Sequence, residues 1–122
     1  MNKYFRAARS ASLKSDHPTY KIGSVVVCKG KIIATGHNLI KKSHKLTRIF
    51  HKHQAMHSEV SALIHCRFTH NLKGAILYVF RQHKDKTNAI CRPCCTCIKI
   101  LQLFGIKKVI YTTDEGYKAL SL

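Results

Sequence analysis

Acidic side chains are scarce in this chain of 122 residues. Five carboxylates stand against 22 lysines and arginines, which gives a net charge of +17 with neutral histidines. A surface of this kind attracts polyanions, so nucleotides or nucleic acid are the natural partners. The alternative is a basic protein with no such partner, because net charge governs association and not fold.

Long hydrophobic segments are also missing. No apolar run approaches the roughly 20 residues that span a bilayer, and residues 1–14 lack the hydrophobic stretch of a secretory signal. We therefore expect a cytoplasmic protein with no membrane partner. In a reducing compartment, clustered cysteines bind metal or act in redox chemistry more often than they form disulfides. Four of the six cysteines lie within residues 91–97, and this clustering favours metal.

Repeats, low-complexity tracts and linkers rich in proline or glycine are absent as well. The length fits one hydrophobic core with four or five strands and a few helices, but not two cores. We therefore expect a single domain over residues 1–122, and we expect it to form a homo-oligomer.

Hydrophobic periodicity predicts both helices and strands. The predicted helices cover residues 3–14, 56–68 and 94–104. The predicted strands cover residues 23–29, 31–36, 75–80 and 107–113.

The order of these elements indicates how they pair. Gly30 between the first two strands predicts an antiparallel hairpin, and the later strand, helix and strand predict a parallel, right-handed crossover. Most of residues 37–53 is predicted to be loop. The pattern indicates an α/β domain in which helices cover a mixed sheet of four to five strands.

The segment CRPCCTC at residues 91–97 contains two overlapping C-x-x-C pairs. On a helix of about 100° per residue, Cys94 and Cys97 share a direction at the head of the apolar face, whereas Cys95 faces the polar side. Two thiols one turn apart at a helix N-terminus suit a divalent cation, because the helix dipole stabilises thiolates there. Pro93 is well placed to start the helix, since its missing amide is not needed there.

Two thiolates do not complete a zinc site, and proximity in sequence does not choose the third ligand. Cys91, Cys66 and nine histidines are candidates, and His51 and His53 compete with His57.

Glu59 favours His57, because it is the one acidic residue between positions 17 and 84 and lies two places after that histidine. His57, Cys94 and Cys97 would leave a fourth position for water, as catalytic zinc sites do. A nearby carboxylate that is not a ligand can then move the proton of that water. Residues two apart diverge by about 200° on a helix, so His57 and Glu59 can meet only beyond the helix N-terminus.

H-x-E at residues 57–59 followed by P-C-x-x-C at residues 93–97 resembles the signature of the zinc-dependent cytidine, deoxycytidylate and nucleic-acid deaminases. Over residues 4–113 the order of the elements is also similar to theirs, with the deoxycytidylate type the most similar. The segments that carry this likeness are IGSVVV, GKIIATGHN, HSEVSAL, GAILYV and RPCCTCIKILQLFGIKKVIY.

The resemblance implies a three-layer α-β-α fold and a Zn²⁺ cofactor held by His57, Cys94 and Cys97. Glu59 would pass a proton from zinc-bound water to the ring nitrogen and then to departing ammonia, while hydroxide attacks C4 of cytosine or C6 of adenine. Asn38, in the G-H-N after the second strand, resembles the asparagine that contacts the substrate.

The resemblance implies a zinc-dependent hydrolase that converts cytosine to uracil in a free nucleotide or nucleoside of the dCMP, CMP or cytidine type. The net charge favours one alternative, a nucleic-acid deaminase that acts on cytosine in single strands or adenosine in tRNA. A second alternative is a non-catalytic zinc module that binds nucleic acid.

Three features depart from the family pattern. Arg92 replaces the glutamate or small polar residue often found before the proline, and Leu39 replaces a glycine typical of deoxycytidylate deaminases. Nine residues follow Thr113, which leaves room for at most a short fifth strand. The basic stretch from Lys41 to Lys52 would skirt the pocket and bind a phosphate or a strand backbone, unless it is simply a solvated loop.

Overall fold

The computed structural model describes residues 2–40, 56–66 and 72–122. Within these ranges the helices are α1 (Lys3–Ser12), α2 (Ser58–His65) and α3 (Cys95–Leu103). The strands are β1 (Ile22–Cys28), β2 (Lys31–His37), β3 (Ile76–Arg81), β4 (Lys108–Thr113) and β5 (Gly116–Ser121). Each predicted element with described residues is present, and the short fifth strand for which the sequence left room is β5.

The strands form one mixed sheet in the order β2-β1-β3-β4-β5. β1 pairs antiparallel with both β2 and β3, and β4 pairs antiparallel with β5. β3 and β4 are parallel and α3 connects them, as the sequence pattern predicts. The β1–β2 hairpin turns at Lys29 and Gly30, both with positive φ, which matches the two-residue turns that follow the strand twist.

Alternating residues of the central strands bury opposite faces of the sheet. Val25 and Val27 pack with Phe5 of α1, whereas Val26 packs with residues of α2 and α3. β3 shows the same alternation, because Tyr78 and Phe80 belong to the first cluster and Leu77 and Val79 to the second. Side chains alternate across a strand, so the sheet lies between α1 and the α2–α3 pair. The three-layer α-β-α fold is confirmed.

Gly36 on β2 allows α2 to lie directly on the sheet. A Cβ atom at this position would be 2.2 Å from the backbone nitrogen of Ala62 and 2.6 Å from the carbonyl oxygen of Ser58. No side chain fits at these distances, so only glycine lets the α2 backbone approach so closely. This contact places the first turn of α2 over the β1–β2 hairpin.

The start of α2 differs from the prediction. Met56 pairs with Leu39 in an isolated bridge and His57 is the N-cap, so the helix begins two residues later than predicted. Most of the predicted basic loop lies outside the described residues, as does Arg67 of the predicted buried face. Within the described ranges, no helix combines the length and hydropathy needed to span a membrane.

Candidate functional site

Two helix N-termini meet at the candidate site. His57 is the N-cap of α2 and Cys94 is the N-cap of α3, and both residues have extended backbone conformations. The Cys94 sulfur accepts a hydrogen bond from the Cys97 amide at 3.4 Å. The prediction that His57 and Glu59 meet only at a helix end is consistent with this placement, because His57 precedes the helix and Glu59 lies in its first turn.

Nitrogen and sulfur donors converge between these termini. The Nδ1 atom of His57 lies 3.2 Å from the Cys97 sulfur and 3.8 Å from the Cys94 sulfur. The three donor atoms all lie within 4.8 Å of one another. Zn–N and Zn–S bonds of ordinary length give a tetrahedral N···S edge of about 3.6 Å. The donor types and their spacing therefore fit a zinc ion with one position left open.

The structure separates this set from the other candidate ligands that it describes. Cys66 is buried and donates to the Ala62 carbonyl, while Cys91 is hydrogen-bonded to Thr112. His51 and His53 lie outside the described residues.

Cys95 is exposed and does not belong to the donor set, as the helical wheel predicts. The helical-wheel prediction was wrong about Cys94. Cys97 is buried in the core, but Cys94 is an exposed N-cap rather than part of the apolar face, because the helix begins at Cys95. Pro93 therefore precedes the cap instead of starting the first turn.

Hydrogen bonds among the three candidate ligands shift their pKa values. A hydrogen bond from the Cys97 thiol lowers the pKa of Cys94 to about 3, against the opposing effect of burial. The pKa of Cys97 is raised far above its ordinary value because its proton is shared with Cys94 and because it is buried. The hydrogen bond to Cys94 also raises the pKa of His57. These shifts favour a thiolate at Cys94, and a bound cation would displace the protons that Cys97 and His57 share with it.

Glu59 lies beside the donors and is only 5% exposed. Its Oε1 atom accepts a hydrogen bond of 2.6 Å from the hydroxyl of Ser58. The Ser58 hydroxyl is in turn 2.7 Å from that of Ser24 on β1, and both serines are buried. A buried carboxylate is therefore held next to a group of candidate metal ligands.

A cavity of about 370 Å³ opens over these residues. Its walls include His17, Tyr20, Asn38, Glu59, Arg92 and Cys94. The volume lies within the range of small-molecule sites. The site therefore combines candidate metal ligands and a buried acid with room for a ligand.

Asn38 lines this cavity and also shapes it. Its Nδ2 atom donates to the Tyr20 carbonyl at 2.6 Å, and its Oδ1 atom accepts from the Ile22 amide at 2.9 Å. The side chain therefore fixes the Tyr20–Ile22 segment that forms one wall. One Nδ2 proton and one Oδ1 lone pair are left over from these two bonds.

Sequence reasoning missed the two serines. Ser24 lies between Gly23 and Val25, just before the three valines of β1, and Ser58 lies between His57 and Glu59. A hydroxyl among buried strand residues needs a hydrogen-bond partner, and that signal pointed to Ser24. Its partner was not readable, because residues 24 and 58 are brought together only by packing of α2 on the sheet.

Residues 1–113 match the family described as "Cytidine and deoxycytidylate deaminase zinc-binding region", and the chain belongs to this family of deaminases. The family's zinc-binding region and the His57, Cys94 and Cys97 donor set together support Zn²⁺ as the cofactor.

Individual relatives are similar over nearly the whole chain. Deoxycytidylate deaminase of Mycobacterium phage D29 is 28% identical over an alignment of 137 residues, gaps included. This alignment covers 93% of this chain and 95% of that protein. The crystal structure of dCMP deaminase from cyanophage S-TIM5 in apo form has a TM-score of 0.66 at 25% identity, covering 91% of this chain and 84% of that one. The crystal structure of cytidine deaminase from Burkholderia pseudomallei has a TM-score of 0.72 at 21% identity, covering 99% of this chain and 93% of that one. The mixed sheet and its helices thus match those of cytidine-deaminase-like structures.

Proposed function

We propose that this protein is a zinc-dependent hydrolase that deaminates a cytosine base to uracil in a free nucleotide or nucleoside, with dCMP the favoured substrate. One observation carries the proposal. Buried Glu59 lies beside the His57, Cys94 and Cys97 donors at a cavity of small-molecule size. This arrangement supports the activation of water next to a bound base.

Each side chain then has a defined task. His57, Cys94 and Cys97 would hold the cation, which would make a water molecule acidic enough to act as a nucleophile near neutral pH. Glu59 would take one proton from the attacking water and deliver it to N3 of the cytosine ring as the C4–O bond forms. It would then carry the remaining hydroxyl proton to the amino group as the C4–N bond breaks. The products are a uracil base and ammonia.

Asn38 is proposed to bind the substrate while it holds the cavity wall. Its two backbone hydrogen bonds leave one donor and one acceptor, which can contact the sugar or the base. Because the Asn38 side chain is already held by these bonds, it would contact the substrate without a further loss of side-chain entropy.

Two observations support a nucleotide over a nucleoside. Arg92 is exposed at the cavity wall, where its guanidinium is available to a phosphate. The phage D29 and cyanophage S-TIM5 relatives are deoxycytidylate deaminases.

The net charge of +17 favours a second candidate, a nucleic-acid deaminase. Many phosphate contacts would make its activity fall steeply with salt.

Mass spectrometry after incubation with cytidine, CMP, dCMP, dCTP, single-stranded DNA and tRNA separates the candidates. Turnover of dCMP at low and moderate salt is the expected result, whereas turnover confined to the polymers would replace the first proposal with the second. If none of these compounds releases ammonia, the enzyme proposal fails and the non-catalytic zinc module becomes the favoured alternative.

A further inference from the structure

A chain of hydrogen bonds from two buried hydroxyls, those of Ser58 and Ser24, reaches the carboxylate of Glu59. Ser58 is 1% exposed and Ser24 is completely buried, and their hydroxyl oxygens lie 2.7 Å apart. The Ser58 oxygen is 2.6 Å from Oε1 of Glu59. Three polar groups thus form a continuous chain that leads from the sheet to the candidate site.

The direction of the chain follows from its protons. The Ser58 hydroxyl donates its single proton to Oε1 of Glu59. The oxygen of Ser58 is then the acceptor for Ser24, and Ser24 is the donor. Both hydroxyl dipoles point toward Oε1, so each hydrogen bond strengthens the next.

Packing on the sheet holds the chain in place. Ser24 is the cross-strand neighbour of Gly36, and the space above Gly36 is filled by the carbonyl of Ser58 and the backbone of Ala62. Ser24 is also paired with Val79 on the other side, so its backbone is fixed by two neighbouring strands. The end of the chain that is farthest from Glu59 is therefore rigid.

We propose that Ser58 and Ser24 are positioning residues that hold Oε1 of Glu59 through this chain and so fix the orientation of its carboxylate at the candidate site. This inference rests on the proposed role of Glu59 in proton transfer. With Oε1 held by Ser58, the carboxylate keeps one rotamer at the candidate site. Loss of the anchor lets the carboxylate rotate, which slows proton transfer without weakening substrate binding.

Ser58→Ala tests the proposal. We expect kcat for dCMP to fall at least about tenfold, the equivalent of one lost hydrogen bond to a charged group, with KM and zinc content unchanged. Ser24→Ala should have a smaller effect, about two- to fivefold, because Ser58 keeps its own proton for Glu59. Ser58→Thr retains the hydroxyl and should recover most of kcat.

Ser61→Ala is the matched control. Ser61 is a buried serine of the same helix, and its hydroxyl accepts from the His37 amide at 3.4 Å. This variant also removes one buried hydroxyl from α2, but it should leave kcat within about twofold of wild type, because the Ser61 hydroxyl pairs with the His37 amide and not with Glu59.

Crystal structures of Ser58→Ala and Ser61→Ala provide a readout that does not need activity. We expect the Glu59 carboxylate to change rotamer in the first variant only. An unchanged kcat and an unmoved Glu59 in Ser58→Ala would overturn the inference, as would a rise in KM at constant kcat. If the wild-type protein deaminates no cytosine substrate, the proposed function fails, while the position of Glu59 in the two structures still decides whether the serines anchor it.

Discussion

The Nδ1 atom of His57 lies 3.2 Å from the Sγ atom of Cys97, although 40 positions separate the two residues in the chain. His57 caps α2 and Cys97 lies in the first turn of α3, so the contact joins two helix N-termini. Both helix dipoles direct their positive ends here, which favours thiolate and carboxylate groups at this point. The site thus gathers anionic side chains in a protein that has few acids.

Removal of the Glu59 carboxylate should abolish turnover without loss of metal. We expect Glu59→Gln to lower kcat for dCMP by about 10²- to 10⁴-fold, because the amide cannot accept and deliver the proton. Ammonia release and zinc content are the measurements. Glu115→Gln, which changes an exposed acid in the β4–β5 turn, is the control and should retain full activity. A Glu59→Gln protein with normal kcat would remove this residue from the mechanism.

The two neighbouring cysteines of α3 should differ in their effect on zinc. Cys97→Ser removes a buried donor and should lower the zinc content far below one ion per chain, whereas Cys95→Ser changes an exposed side chain and should retain about one. Zinc analysis by mass spectrometry and thermal unfolding test this difference. Metal loss should also lower the unfolding temperature, because ligand binding stabilises the folded state. Zinc loss in Cys95→Ser would contradict the assigned donor set.

A methyl group at Gly36 should disturb the site from a distance. In Gly36→Ala the new Cβ would meet the backbone of Ser58 and Ala62, so we expect a loss of about 1–3 kcal/mol in unfolding free energy. Displacement of α2 should also lower kcat, because Glu59 moves with the helix. Urea unfolding and steady-state kinetics measure the two effects.

Gly74→Asn is the control for this substitution. Gly74 has a φ of 80° and open space around its Cβ position, and asparagine tolerates that backbone conformation. Its cost should therefore be well below that of Gly36→Ala. Equal stability of the two variants would show that α2 does not rest on Gly36.

The thiol of Cys91 should react slowly at neutral pH. Burial raises its pKa to about 11, although hydrogen bonds with Thr112 act in the opposite direction. The thiolate is the reactive form, so the alkylation rate of folded protein should rise about tenfold per pH unit between pH 7 and pH 9. Iodoacetamide labelling followed by mass spectrometry measures this rate. Labelling of the folded protein as fast as that of urea-unfolded protein would contradict the raised pKa.

The pattern of elements was predictable because it depends on local sequence. The two β-branched runs and the glycine between them at position 30 predict the hairpin, and these features lie within a few residues of one another. The start of α2 was predicted two residues too early, because Met56 instead pairs with Leu39. That bridge joins segments 17 residues apart, and local periodicity contains no information about it.

The candidate site was predictable only in part. Periodicity within one helix separated Cys95 from Cys97, and the rarity of acids directed attention to Glu59 and, through it, to His57. The role of Asn38 as a substrate contact stays a prediction. Its hydrogen bonds to the Tyr20–Ile22 segment could not be read from the sequence, since they span a turn and two strands.

The sequence by itself determined the type of fold and the candidate donor types and pointed to Glu59, because these follow from periodicity and from side-chain chemistry. Only the tertiary structure decided that Cys94 is an exposed cap and that Ser24 lies below Ser58 and Glu59. The reason is physical. Packing of α2 against Gly36 and the order of strands in the sheet set the distances between side chains that are far apart in the chain.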